Sequence, residues 1–192
     1  MTVPIWDAAS DETLLEWASK GSQSAFEALM NRYLRVVYSY IALRASETDA
    51  ADILQETMLA VWQGLAGFDK HSSLKTWLFA VARRKLCDFY RTRQSLRELP
   101  MSEAFPDSCG EEYDADSGED MAAGISERLD AAKAISSLGA GERELVYLIF
   151  EAGLTYAQVS EATGLPVGTI KSRMSALRAK LKRQLGEGYN EL

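Results

Sequence analysis

Cysteine and histidine are nearly missing from this chain of 192 residues, which holds only Cys87, Cys109 and His71. A structural zinc site draws four Cys, His or carboxylate ligands at short spacing, and neither a C-x-x-C pair nor a histidine cluster supplies them. No metal and no cofactor is therefore expected, and the two cysteines read as free thiols of a reducing compartment. No apolar run approaches the ~20 residues of a membrane span. Met1–Asp7 lacks the basic stretch and apolar core of a signal peptide, so the cytoplasm is the expected location. There is no G-x-x-x-x-G-K-[ST] phosphate loop, and no acid cluster falls on a segment expected to fold. With a single histidine, this leaves no catalytic constellation. No catalytic residue and no small-molecule substrate are assigned, and the chain is not expected to be an enzyme.

What is present is charge, unevenly placed. The net charge of −7 argues against nucleic acid until it is divided. Residues 96–127 hold ten acids and one base, a net of −9, which leaves +2 for the rest. Arg83, Arg84, Lys85, Arg91 and Arg93 crowd one short stretch against Asp88 alone. Lys171, Arg173, Arg178, Lys180, Lys182 and Arg183 crowd another with no acid. The acidity belongs to one segment and the basic patches lie outside it.

Apolar spacing is helical from Asp11 to about Arg93. A first helix begins near Leu14 with Ser10 or Asp11 as N-cap, and a second runs from about Ser24 to Tyr40 beyond Gly21. Ser46–Asp49 leads into a third, from Asp49 to about Leu65. After a polar loop, a fourth runs from Leu74 to about Arg93. Residues 96–127 carry Pro100, Pro106, Gly110, Gly118 and Gly124 among acids and serines. Such a stretch buries too little to offset the entropy of ordering it and reads as a flexible linker. Helical spacing returns in about Ser126–Ser137, Glu142–Ala152, Tyr156–Thr163 and Val167–Leu185. No alternating β pattern is present. The expected fold is all-α, with two small helical domains (11–95 and 128–187) on an acidic tether.

Thr155–Arg173 has what a helix-turn-helix requires. Thr155 can cap the first helix, Ala157 is small enough for close helix approach, and Val159 and Ala162 face the core. Gly164 supplies a left-handed stop and Leu165 fills the corner. Ile170, Met174, Leu177 and Leu181 form the inward stripe of the second helix. Thr169, Lys171, Ser172, Ser175, Arg178 and Lys182 face outward, as residues contacting base edges and phosphates in a major groove do.

In the first half, Asp52–Trp62 is amphipathic: Ile53, Leu54, Met58, Val61 and Trp62 can bury. Asp52, Gln55, Glu56, Leu59 and Gln63 lie on or near the other face, a mixture suited to a basic helical partner. Leu74, Trp77, Leu78, Val81, Ala82 and Phe89 give the fourth helix an apolar side. Its bases stand with Phe89 and Tyr90, and cations beside aromatics suit unstacked, single-stranded nucleic acid.

Taken together, these segments resemble the extracytoplasmic-function (ECF) sigma factors. Asp52-x-x-Gln-Glu-x5-Trp62 resembles the family's polymerase-binding helix. Phe68 through Trp77-Leu78, then Ala82-Arg83 and Asp88-Phe-Tyr-Arg91, resembles its minus-ten segment. Gly164–Arg173 resembles its minus-thirty-five motif. The resemblance implies that Asp52, Gln55, Glu56 and Leu59 dock on the clamp helices of the polymerase largest subunit, the flap being a further contact. It implies that the Phe68–Ser73 loop, with Phe68, Lys70, His71, Ser72 and Trp77, receives a base flipped from the minus-ten strand. Arg83, Arg84, Tyr90 and Arg91 would hold the melted strand, and Thr169, Lys171, Ser172, Arg173, Ser175 and Arg178 would contact the minus-thirty-five duplex. The connector would thread the RNA exit path, its acids mimicking RNA. An anti-sigma factor, often membrane-bound in the family, is implied as a partner beside core RNA polymerase and promoter DNA.

The chain departs from the family pattern in several places. Arg84 stands where Asn is common in the base pocket, Gln158-Val-Ser replaces Glu-Ile-Ala, and Leu138-Gly139 replaces Leu-Pro. Ser175 and Ala176 stand where larger or basic contacts are common. A stand-alone helix-turn-helix regulator is the alternative reading. It accounts for residues 128–185 and leaves the Asp52–Trp62 face and the basic aromatic helix without a task.

Overall fold

Four serines of the first half of the chain each start a helix. In the computed structural model, which describes Trp6 and residues 8–95 and 137–185, the Ser10 Oγ accepts the Thr13 N–H and opens α1 (Asp11–Ser19). Asp11 and Glu12 in its first turn complement the helix dipole. Ser22 caps α2 (Gln23–Ala42), and Gly21, at φ +93°, turns the chain between the two. Ser46 caps α3 (Glu47–Gly64) through the Asp49 N–H. The helix therefore starts two residues before the Asp49 expected from spacing. A 3-10 turn, Leu65–Gly67, ends it, and α4 spans Leu74–Ser95. An N-cap of this kind contributes about 1 kcal/mol.

Two compact units divide the chain, Met1–Leu99 and Pro100–Leu192. In the first, α1 packs on α2, and α2, α3 and α4 pack on one another. Leu14, Leu29, Val37, Ile41, Ile53, Val61, Leu78, Ala82 and Leu86 fill the core, with Tyr40 and Phe79 edge to face at 5.3 Å. The buried seam of α4 is rotated from the expected one. Phe79 and Leu86 are buried, while Trp77, Val81 and Phe89 are half-buried. Leu54, Met58 and Trp62 of α3 are likewise only half-buried, Trp62 lying against the edge of Phe26 at 4.8 Å. Asp11 ties α1 to α2 by accepting from Arg32 and from the Tyr33 hydroxyl. Burial and that carboxylate push the Tyr33 hydroxyl up to about 12.

Cys87, half-buried on α4, is disulfide-bonded, which corrects the expectation of a free thiol at that position. Bridging depends on Cα atoms lying about 4.4–6.8 Å apart, which sequence separation does not report. Cys109 lies outside the described residues, as do the 96–127 linker and nearly all of the Ser126–Ser137 helix expected above.

The second unit contains α5 (Ala140–Val146), a π-helical turn (Tyr147–Glu151), α6 (Tyr156–Thr163) and α7 (Val167–Leu185). The expected Glu142–Ala152 helix thus starts earlier and widens after Val146. The Ala152 N–H reaches back to the Tyr147 carbonyl and Gly153 turns at φ +66°, leaving Leu148 and Leu154 both buried. Gly139, in place of proline, holds φ −62°, the angle a proline ring imposes. Its N–H, which proline lacks, donates to Glu142 at 2.9 Å. Glu142 also accepts from Lys180 of α7 at 2.8 Å. Burial raises the Glu142 carboxyl, but the bonds from Lys180 and Gly139 and the Lys180 charge outweigh it, so its pKa lies below the ordinary value.

Candidate nucleic-acid interface

The turn between α6 and α7 is held by four side chains. Thr155 Oγ1 accepts the Gln158 N–H and Gln158 Oε1 accepts the Thr155 N–H, a reciprocal cap. Glutamine does here what the family's more usual glutamate would do. Gly164 sits at φ +77°, where a side chain is strained. Beyond it the Ser160 hydroxyl donates to the Leu165 carbonyl at 2.7 Å, and Thr163 Oγ1 accepts the Leu165 N–H at 3.3 Å. Sequence reasoning missed Ser160 and Thr163; hydroxyl residues one and four places before a helix-ending glycine were the available signal. Val159, Ala162, Leu165, Ile170, Met174 and Leu177 are buried, and Leu181 is half-buried. Ala157 is exposed, so it does not serve the helix approach expected of it; the buried Ala162 lies on the covered side.

This frame presents one face of α7. Lys171, Ser172, Arg173, Ser175 and Arg178 are exposed, and Thr169 is half-buried with its carbonyl accepting from the Ser172 hydroxyl. Lys171, Arg173 and Arg178 make no ion pair with a described residue. The Glu142–Lys180 pair fixes the far end of α7 against α5.

The first unit carries two faces of opposite sign. Asp52, Gln55, Glu56 and Leu59 are exposed together on α3, and Leu59 is 48% exposed, unusual for a leucine on an otherwise well-packed helix. On α4, Arg84 and Arg91 are exposed and Arg83 is half-buried. Arg91 lies 3.4 Å from Asp88, one helical turn away, whereas Arg84 makes no ion pair with a described residue. The half-buried Tyr90 donates its hydroxyl to the Arg44 carbonyl, and its ring meets Phe89 edge-on.

The Phe68–Ser73 loop joins these elements. The Phe68 and Trp77 rings lie 5.0 Å apart, and Trp77 passes so close to Gly64 that an added Cβ would stand 3.1 Å from it. The Asp69 carboxylate accepts the His71 N–H at 3.1 Å and lies 3.4 Å from its ring. Between them Lys70 adopts φ +60°, rare for a residue with a side chain. Ser73 Oγ accepts the Thr76 N–H and launches α4. The result is a short polar turn, Lys70 and His71 exposed and Ser72 half-buried, beside a tilted aromatic pair. Such a site can accept a planar group and neutralise an anion near it.

Among the described residues no group of His, Cys, Asp and Glu could hold a metal ion, and no helix is long and apolar enough to cross a membrane. The sigma-70 region 2 family model matches residues 26–96, and the sigma-70 region 4 model matches residues 128–181. The chain is 30% identical over 183 residues to the RNA polymerase sigma factor CnrH of Cupriavidus metallidurans, covering 92% of this chain and 94% of that protein. It is also 30% identical to the ECF RNA polymerase sigma factor SigC of Mycobacterium tuberculosis, covering 94% of each. Among solved structures, CnrH in complex with the cytosolic domain of CnrY is similar over 91% of this chain and 96% of that one. The TM-score is 0.61 at 26% identity. The sigma factor RpoE in complex with the anti-sigma factor NepR, from Bartonella quintana, gives 0.59 at 26% identity, over 85% of this chain and 98% of that one. Both matched regions occur in order on one chain, and the likeness to the sequence relatives runs nearly end to end. The chain belongs to the ECF family of RNA polymerase sigma factors.

Proposed function

We propose that this protein directs core RNA polymerase to its promoters through three faces, each on a different helix. The exposed stripe of Asp52, Gln55, Glu56 and Leu59 docks on the clamp helices of the polymerase largest subunit, and the flap is a further contact. Arg84 and Arg91, with Arg83 and Tyr90 beside them, hold the melted minus-ten strand. Phe68, Lys70, His71, Ser72 and Trp77 receive an unstacked base from it. Thr169, Lys171, Ser172, Arg173, Ser175 and Arg178 meet the minus-thirty-five duplex in the major groove. The protein acts in the cytoplasm and by binding alone, with no catalytic group of its own. RpoE forms a complex with the anti-sigma factor NepR, and by the same family logic an anti-sigma partner keeps this chain from polymerase.

The observation that carries this reading is the separation of exposed charge: an acidic stripe with one leucine on α3 and cationic faces on α4 and α7. A stand-alone regulator would use only the last. Run-off transcription with core polymerase on genomic fragments tests it directly. The protein should yield discrete start sites with core enzyme and bind the same promoters weakly without it. Charge reversal at Asp52 and Glu56 together should abolish co-purification with core polymerase. Retention of core by that variant would remove the docking face from this account.

A further inference from the structure

The bases of α4 are not equally available, and the difference lies in which of them face α3. Lys85 Nζ lies 3.1 Å from Glu56 Oε2, and an Arg93 guanidinium nitrogen lies 3.0 Å from Asp49 Oδ2. Glu56 follows Asp49 by two turns on α3, and Lys85 precedes Arg93 by about two turns on α4. The pairs are therefore two rungs between antiparallel helices. The Lys85 side chain is 29% exposed, whereas Glu56 is 62% exposed. The carboxylate of this rung is the open member, and it belongs to the same exposed stripe as Asp52, Gln55 and Leu59.

We propose that Lys85 is a further strand-binding cation, held by Glu56 in the free protein and released when a cationic partner surface engages α3. The inference rests on the docking reading of α3 given above and adds an order of events to it. A carboxylate has two oxygens but one charge. A partner arginine or lysine that takes Glu56 leaves Lys85 without its counterion, on a four-carbon stem whose neighbour is the exposed Arg84. The exchange is easy because the rung is exposed. Solvent-exposed pairs of this kind shift an equilibrium by only about 1.4- to 5-fold, whereas a buried pair would resist opening. Docking thus adds a cation to the face that meets the melted strand, and the free protein holds that cation back.

The test measures binding of the full chain, without polymerase, to a labelled oligothymidylate strand. Glu56→Gln should tighten it about 1.4- to 5-fold, the range of an exposed pair. It should also steepen the log–log salt dependence by about 0.7, one additional phosphate of a single strand. Adding Lys85→Ala to Glu56→Gln should cancel both changes. Glu47→Gln removes the same charge from the exposed first turn of the same helix but no rung, and should leave both quantities where they are. An equal gain from Glu47→Gln, no gain from Glu56→Gln, or a gain that survives Lys85→Ala would each overturn the latch. With core polymerase, Lys85→Ala should slow promoter opening several-fold, and an unchanged rate would overturn the role of Lys85 on the strand. The docking reading fails separately, through retention of core polymerase by the Asp52 and Glu56 charge-reversal variant.

Discussion

The two helical units handle positive charge in opposite ways. In the second, Lys171, Arg173 and Arg178 stand on a helix face and make no ion pair with a described residue, while the paired Lys180 braces α7 against α5. In the first, Lys85 and Arg93 are matched by acids of the neighbouring helix and Arg91 by an acid of its own. A duplex is present whether or not polymerase is bound, so a face that reads it can be permanently cationic. A melted strand exists only after polymerase has acted, and a face that holds it can stay partly neutralised until then. The contrast teaches that exposed cations are informative only once their partners are known.

Core truncations would test the division most strongly. Phe79→Ala in the first unit should cost about 3–5 kcal/mol and Ile170→Ala in the second about 2–5 kcal/mol. Each should lower only the thermal transition of its own unit, followed by the CD signal and by the fluorescence of tryptophans, all four of which lie in the first half. A single transition moved by both would break the comparison. Next in size, Gly164→Ala places a side chain at φ +77° and should cost about 1–2 kcal/mol, with loss of duplex binding and no change in polymerase docking. Lys171→Ala should reduce the log–log salt slope of minus-thirty-five duplex binding by about 0.9, one phosphate; an unaltered slope would mean the lysine points away from the backbone.

The smallest effects separate the units by pH. The Tyr33 hydroxyl titrates near 12 in the folded first unit against an ordinary 10. Its contribution is therefore intact below about 10 and falls away as pH rises from there toward 12. Tyr33→Phe should flatten that alkaline loss in denaturant titrations. Glu142 is shifted the other way, below 4.5, so the second unit keeps its contribution above that value and loses it as pH falls through the lowered one. Glu142→Gln should remove that acid dependence.

Much of the fold was legible because its signals are local. The Ser10 and Ser46 caps, the Gly21 and Gly164 turns and the stripe Ile170–Met174–Leu177 each depend on residues within a turn or two of one another. The α4 seam was harder. Trp77, Val81 and Phe89 are as apolar as Phe79 and Leu86, and only packing against α2 and α3 decides which of them is covered. The π-helical turn at Tyr147–Glu151 has no composition of its own and follows from burying Leu148 and Leu154 together. Ala157 was misplaced because small size is compatible with either side of a helix.

The sequence by itself determined an all-helical chain, a helix-turn-helix and a division of charge that turned overall acidity into two basic surfaces. Each of these is a property of spacing along the chain, and an α-helix converts spacing into faces by its fixed 3.6-residue period. Only the tertiary structure decided which charges meet. Asp49 with Arg93, Glu56 with Lys85 and Glu142 with Lys180 lie 44, 29 and 38 residues apart. Their pairing depends on how helices cross, which no local pattern encodes. A cation that looks free in sequence can be held by an acid on the neighbouring helix, as Lys85 is by Glu56, 29 residues away.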